Sequence, residues 1–300
     1  MLDAVAEANA GGARIVPQVQ GRPSGLLASW ATFNPFMDRP SYRALAGLPL
    51  DERVARLREP SVRKAILAEA PHDGPAASIM KHSLHAAFAM DEGVVFEPEV
   101  ERSILGIAER ERRSTDEVLY DTLCDLAEQA PPGQTRMLHV YFAGYGQGNM
   151  DNLIAMIQDP STVVGLSDAG AHCSMICDAS LSTFMLTHLA RDRTRGPRLS
   201  VERVVETLSR APAELYDLHD RGVVRPGARA DLNVIDFEAL RLELPEIVND
   251  LPTGAPRVVQ NARGFVATLC AGEVTMRNGA PTSARPGTLV RGPHGDARAI

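Results

Sequence analysis

Thr162-Val163-Val164-Gly165-Leu166-Ser167-Asp168-Ala169-Gly170-Ala171-His172 turns from apolar to polar within one short stretch. Val163, Val164 and Leu166 predict a buried strand, because β-branched residues suit a pleated surface and short apolar runs suit buried parallel strands. Asp168 and His172 then fall just past the C-terminal end of that strand, where α/β barrels gather their chemistry. A carboxylate placed there can orient or deprotonate a metal-bound water. The same residues also fit a plainer reading, a turn aspartate followed by a helix cap. The surrounding sequence has to decide between the two.

Upstream, residues 137–142 predict another strand, and Gly144-Tyr145-Gly146-Gln147-Gly148-Asn149 a flexible loop. Leu153, Ile154 and Ile157 mark the next helix. Strand, loop, helix and strand over residues 136–168 form a unit that implies parallel strands. Nearer the N-terminus, residues 1–10 read as a helix stopped by Gly11-Gly12. Residues 14–19 read as a strand that leads into the turn-rich Gln20-Gly21-Arg22-Pro23-Ser24-Gly25. Residues 40–70 carry helical patterns, with Pro40 and Pro60 where a helix start tolerates proline. Residues 71–113 are less periodic. Ser114-Thr115-Asp116-Glu117 has the form of a helix start, followed by Val118, Leu119, Leu123 and Leu126 on one face.

Helices are expected over about residues 180–192, 201–209 and 212–218, and then the texture changes. Residues 222–236 combine the tight turn Pro226-Gly227 with an alternating strand pattern. Short strands are expected at residues 258–259, 264–269 and 273–276. From about residue 281 the chain is rich in Pro, Gly and Arg and reads as a loosely packed tail.

Composition narrows the function classes. Three hundred residues with 44% hydrophobic and 23% charged side chains describe a globular protein with ample material for a core. A net charge of −7 offers no basic footprint for nucleic acid. No apolar run approaches the ~20 residues that span a bilayer, so a membrane is not an expected partner either. The start, Met1-Leu2-Asp3-Ala4-Val5-Ala6-Glu7, lacks the basic beginning and apolar core of a signal peptide, which makes the cytoplasm the expected location. Cys124, Cys173, Cys177 and Cys270 are scattered and expected to be reduced. Cys173 and Cys177 are not at zinc-ribbon spacing and read as small hydrophobes.

The ordered series Val164-Gly165-Leu166-Ser167-Asp168-Ala169-Gly170-Ala171-His172, Asp178-Ala179-Ser180, Thr183-Phe184 and Arg191-Asp192-Arg193-Thr194-Arg195-Gly196 resembles the amidohydrolase superfamily. It most resembles the D-aminoacylase (N-acyl-D-amino-acid deacylase) branch. Pro212-Ala213-Glu214-Leu215-Tyr216, residues 222–236 and Asp250-Leu251-Pro252 extend the likeness, which is dense from about residue 136 to 291. It continues more thinly back to Pro17-Gln18-Val19-Gln20-Gly21-Arg22-Pro23. The resemblance implies an α/β fold: the C-terminal part of a TIM-like metal-dependent hydrolase barrel, followed by short strands of a small β-sandwich. On that expectation residues 1–220 are a partial barrel, residues 221–280 the return to the sandwich, and residues 281–300 the tail. It implies zinc, and a catalytic Asp168 that contacts the metal-bound water and carries its proton to the leaving nitrogen. A carboxylate beside a cation and its water stays ionised until it takes the water's proton, so the role suits the residue.

The pattern of that family opens with a His-x-His pair, and none occurs here: the histidines are His72, His82, His85, His139, His172, His188, His219 and His294. A βα unit needs at least ~30 residues, so seven units before Asp168 would take over ~200. Only 167 residues precede it. The expectation is a chain matching the C-terminal half of a longer enzyme, with the other metal ligands outside it. Its small-molecule partner would be an N-acyl amino acid or related amide. The alternative is a non-catalytic half, or split-gene subunit, that complements a separate metal-binding half; open strand edges also favour self-association. A third reading is a stand-alone enzyme with ligands drawn from His139, His172, Cys173 and Asp168, which have no recognised ligand spacing.

Other residues carry paired readings. His172 could touch substrate or cap the following helix. Arg22 could bind a substrate carboxylate through its planar fork, or form a loop salt bridge. Tyr145, on its glycine-rich loop, could close over a substrate. His139 reads as a core or rim histidine, and His82 with His85 as a packed or solvated pair. Ser167 and Ser180 lack the elbow sequence of a serine hydrolase. Residues 191–195 read as a solvated or salt-bridged helix end.

Overall fold

The computed structural model describes residues 1–70, 74–90, 93–165 and 170–292, the side chains of residues 75–77 excepted. The first five strands are β1 (Gln18–Gln20), β2 (Ser24–Ala28), β3 (Ala87–Ala89), β4 (Leu138–Ala143) and β5 (Val163–Gly165). β4 is the strand expected at residues 137–142. It lies between β2 and β3 and is antiparallel to both, with His139 opposite Leu27 on one side and Phe88 on the other. Its side chains alternate between two cores. Leu138 and Val140 pack with Leu26, Ala28 and Ala87, while Tyr141 packs with Val19 and Phe88. Burial on both faces explains why the stretch is nearly continuous in apolar residues.

The two strands expected to form one parallel unit over residues 136–168 do not pair with each other. β5 pairs in parallel with β1, Val163 to Gln18 and Gly165 to Gln20, in a separate two-stranded sheet. An apolar strand pattern encodes burial but not the direction of the neighbour, and the neighbours of β4 come from remote segments. The strand expected over residues 14–19 is also shorter and later, because Ile15 and Val16 stay 45% and 43% exposed and the Ile15 backbone is bonded to the Asn9 side chain rather than to a neighbouring strand. The chain is mixed α/β, with several small sheets and, among the described residues, no closed barrel.

Helices follow their local signals. Pro40 and Pro60 each open a helix, Pro40–Arg43 and Pro60–Ala68, at the position where the missing N–H costs nothing. Ser114 and Glu117 form a reciprocal capping box on the helix Thr115–Gln129. That helix buries Val118, Leu119, Leu123 and Leu126. Tyr120, from the same helix, meets Trp30 and Phe36 edge-on at 5.2 and 5.3 Å, and Tyr42 stacks on Trp30 at 5.7 Å. The helix expected over residues 180–192 is a composite: a 3₁₀ turn Asp178–Ser180, an α-turn Leu181–Phe184, and a π-helix Met185–Asp192. Arg210–Leu215 begins earlier than expected and ends before Asp217, whose φ of +55° breaks it.

Beyond residue 222 the strands are β6 (Leu232–Ile235), β7 (Arg241–Leu242), β8 (Glu246–Val248), β9 (Arg257–Val259), β10 (Ala262–Arg263), β11 (Phe265–Cys270), β12 (Glu273–Arg277) and β13 (Ala280–Pro281). They form an antiparallel sheet β13-β12-β11-β6 and two small pairs, β10 with β7 and β8 with β9. Gly227, at φ +84°, sits in the expected turn, where the Ala228 N–H donates to the Arg225 carbonyl at 3.2 Å. Asn278-Gly279, with φ of +48° and +81°, closes the β12–β13 hairpin as a two-residue primed turn requires. This segment packs on the second core through Leu240 and Leu242, beside Phe184 and Met185. Arg191 fastens it, donating to the Leu240 carbonyl at 2.7 Å and lying over the Phe237 ring.

Candidate functional site

Gly21 joins β1 to Arg22 at a close approach. A Cβ there would fall 2.6 Å from Met185 Sδ and 2.9 Å from Val164 Cγ1, so any larger residue would have to displace these side chains where the chain passes β5 and the π-helix. Arg22 is thereby carried into the interior, 2% exposed. Its Nη1 donates to Ser180 Oγ at 2.5 Å and to Gln260 Oε1 at 3.4 Å, and its Nε lies 3.4 Å from Asp178 Oδ1. The guanidinium sits 5.7 Å from the Phe96 ring and 5.6 Å from that of Phe184. Ser180 Oγ passes the chain on to Gln260 Oε1 at 2.7 Å, and Gln260 Nε2 donates to the Glu243 carbonyl at 3.0 Å. One buried cation therefore links the β1–β2 turn, the segment after residue 170 and the strand region near residue 260.

That segment is tied down by backbone from two further sides. Leu27 N–H donates to the Met175 carbonyl and Val258 N–H to the Cys173 carbonyl, both at 2.7 Å. The His172 carbonyl accepts from Met175 and Ile176 N–H, so the turn is capped by backbone, with His172 itself at φ +44° and its side chain exposed. Between the segment and β9 lies a cleft of about 360 Å³. Ile176, Leu242, Val258 and Ala262 give it apolar walls, Asp178, Ser180 and Gln260 a polar side, and Arg257 a cationic one. Burial pushes the Cys177 thiol on this lining up to about 11, with the Arg22 charge opposing it.

His139 lies behind the same group, fully enclosed on β4, and burial above all, then the Arg22 charge, lowers its pKa well below the ordinary imidazole value. Tyr145 is elsewhere. It is 1% exposed, and its hydroxyl donates to the Pro98 carbonyl at 2.5 Å and accepts from Arg195 Nη1 at 3.3 Å. Next to it is a second buried charge cluster. Arg193 grips both oxygens of Glu97 at 2.8 Å and also reaches Asp151 at 2.6 Å, while His188 Nε2 lies 3.3 Å from Glu97. The 191–195 helix end is thus salt-bridged, and its central arginine is buried. Burial works against the Glu97 charge, but hydrogen bonds from Arg193, His188 and the Met150 N–H outweigh it and bring the carboxyl down to about 2.

Of the residues expected at the site, the structure brings Arg22 against Asp178 and Ser180, and places Tyr145 and His172 apart from them. Asp168 and Ser167 lie outside the described residues. Gln260, Arg257 and Glu97 are the polar groups that sequence reasoning passed over. Gln260 follows a predicted strand, but nothing local announces that the strand returns to Arg22. Among the described residues no group of three or more His, Cys, Asp or Glu is arranged to hold a metal ion. The donors lining the cleft, Cys173, Cys177 and Asp178, do not make up such a group, and Asp178 lies against the Arg22 cation.

Residues 130–276 match the amidohydrolase family. The matched residues include β4, the post-170 segment, the composite helix and the strands through most of β12. No curated protein matches the chain. Among solved structures, it is similar to a D-aminoacylase described as defining a novel subset of amidohydrolases, at 19% identity and TM-score 0.35, covering 61% of this chain and 33% of that one. A D-aminoacylase mutant in complex with copper chloride gives 18% identity, TM-score 0.34 and coverage of 61% and 33%. A D-aminoacylase studied for its binuclear metal center gives 18%, 0.34, and 66% and 36%. The chain spans about a third of the length of these D-aminoacylases. No helix among the described residues is long and apolar enough to cross a membrane.

Proposed function

We propose that the chain is part of a hydrolase of non-peptide C–N bonds, an N-acyl-D-amino-acid deacylase, in which Asp168 moves the proton. The observation that carries this reading is the amidohydrolase match over residues 130–276, which contains Asp168 and the ordered motifs around it. Hydrolysis adds water across the amide: oxygen to the acyl carbon, a proton to the leaving nitrogen. Asp168 takes the proton as the water attacks and returns it to the nitrogen, so the carboxylate ends as it began. Zinc, where it takes part, needs ligands beyond the described residues, among which no group of three or more His, Cys, Asp or Glu is arranged to hold it.

The test is release of free amine from N-acetyl-D-leucine and N-acetyl-L-leucine with zinc present. It is run on the chain alone and on the chain co-expressed with a D-aminoacylase segment that carries His-x-His. Turnover of the D-isomer in the complemented protein is expected. In Asp168→Asn it should fall by a factor on the order of 100 or more, the contribution of one general acid–base group. Turnover untouched by that substitution, or absent even with the complementing segment, overturns the reading.

A further inference from the structure

The cleft beside the post-170 segment carries a cation that the resemblance does not assign, Arg257 on β9. The buried Arg22 is not among the residues lining the cleft, whereas Asp178, Ser180 and Gln260 are; its Nη1 donates to Ser180 and Gln260, and its Nε faces Asp178 at 3.4 Å. Arg257 does line it. Two of its five N–H groups serve Asp250, Nε to Oδ1 and Nη2 to Oδ2, both at 2.6 Å. The pair is open to solvent, Arg257 at 37% and Asp250 at 54%, and an exposed pair of this kind is weak. The backbone hydrogen bond from Val258 to Cys173 and the pairing of Arg257 with Val248 fix where the Arg257 side chain leaves β9, at the cleft lined by Leu242, Val258 and Ala262.

We infer that this cleft binds a small molecule bearing a carboxylate beside an apolar group, and that Arg257 is the residue that reads the carboxylate. The inference rests on the deacylase reading for its choice of ligand, an N-acyl amino acid with an aliphatic side chain. The volume is at the small end for ligand pockets and suits a molecule of amino-acid size. The apolar walls take the aliphatic group, and the guanidinium forms charge-assisted hydrogen bonds to the carboxylate. Asp250 competes with the ligand for the same fork, so it sets the affinity from behind.

The experiment measures binding of N-acetyl-D-leucine and of its uncharged analogue N-acetyl-D-leucinamide to the full chain, without zinc, by calorimetry or NMR titration. The wild-type chain should favour the acid by about tenfold or more. Arg257→Gln should bring the ratio to about one while leaving the amide's affinity unchanged, and Asp250→Asn should raise the preference for the acid. No binding of either compound, no preference in the wild type, a preference that survives Arg257→Gln, or a weaker acid in Asp250→Asn each overturns the inference. Absent preference with Asp168-dependent hydrolysis intact sinks this inference alone. A clear preference with no hydrolysis in the complemented protein sinks the deacylase reading alone.

Discussion

Arg22 shows how a residue that reads from sequence as a ligand's partner can be recruited by the protein itself. Its guanidinium lies beside the Phe96 and Phe184 rings with Asp178 at 3.4 Å and Ser180 at 2.5 Å, and both Arg22 and Asp178 are almost wholly buried. Breaking a buried pair by removing one partner leaves the other charge without compensation, at a cost of about 3–5 kcal/mol. Arg22→Met should therefore lower stability by roughly that amount in urea unfolding. It should also lower it more than Arg22→Met combined with Asp178→Leu, since the double change removes both charges. A single variant as stable as wild type would mean that the pair contributes nothing to the fold. Arg22 was legible as a special position because it follows Val19-Gln20-Gly21 into a turn. Its partner was not, because the 158 residues separating it from Ser180 carry no local sign of the contact.

At the scale of elements, the signals that worked were those confined to one turn of chain. Ser114 and Glu117 sit three residues apart and cap each other, and the proline helix starts behave the same way. Strand partnership was the signal that failed, since β4 and β5 are equally apolar whichever neighbour they find. Glu97 failed for a related reason: its partners Arg193, His188 and the Met150 N–H come from remote segments, and it falls in the weakly periodic stretch of residues 71–113. Its chemistry makes a pH prediction. The folded carboxyl titrates at about 2, below the ordinary value of 4.5, so the ionised form is the one the fold favours. Its contribution is complete above about pH 4.5 and disappears as pH falls toward 2, because the unfolded chain binds the proton first. The amount is on the order of 3 kcal/mol. Urea unfolding at pH 6 and pH 3 should show a loss in the wild type that Glu97→Gln largely lacks. An equal pH loss in both proteins would exclude Glu97 as its source.

For the whole molecule, the sheets themselves argue for association. β1 and β5 form a two-stranded parallel pair, and among the described residues neither has a partner on its other edge. Two-stranded sheets have little stability of their own. The four-stranded sheet ends at β6 and β13, and exposes Val234 and Val266 at 49% and 41%. Unpaired strand edges with apolar side chains are templates for pairing with another chain. A net charge of −7 opposes close approach but is screened over about 8 Å at physiological salt. Light scattering after size exclusion should therefore give a mass above the 32.3 kDa of a single chain, with the associated fraction growing as concentration and salt rise. Co-expression with the complementing segment used for the activity test should suppress it, because the same edges would then be covered. A monodisperse 32.3 kDa species with a cooperative melt, unaffected by salt, would instead mean that these edges are satisfied within one chain. The split between a metal-binding half and this one would then lose its physical basis.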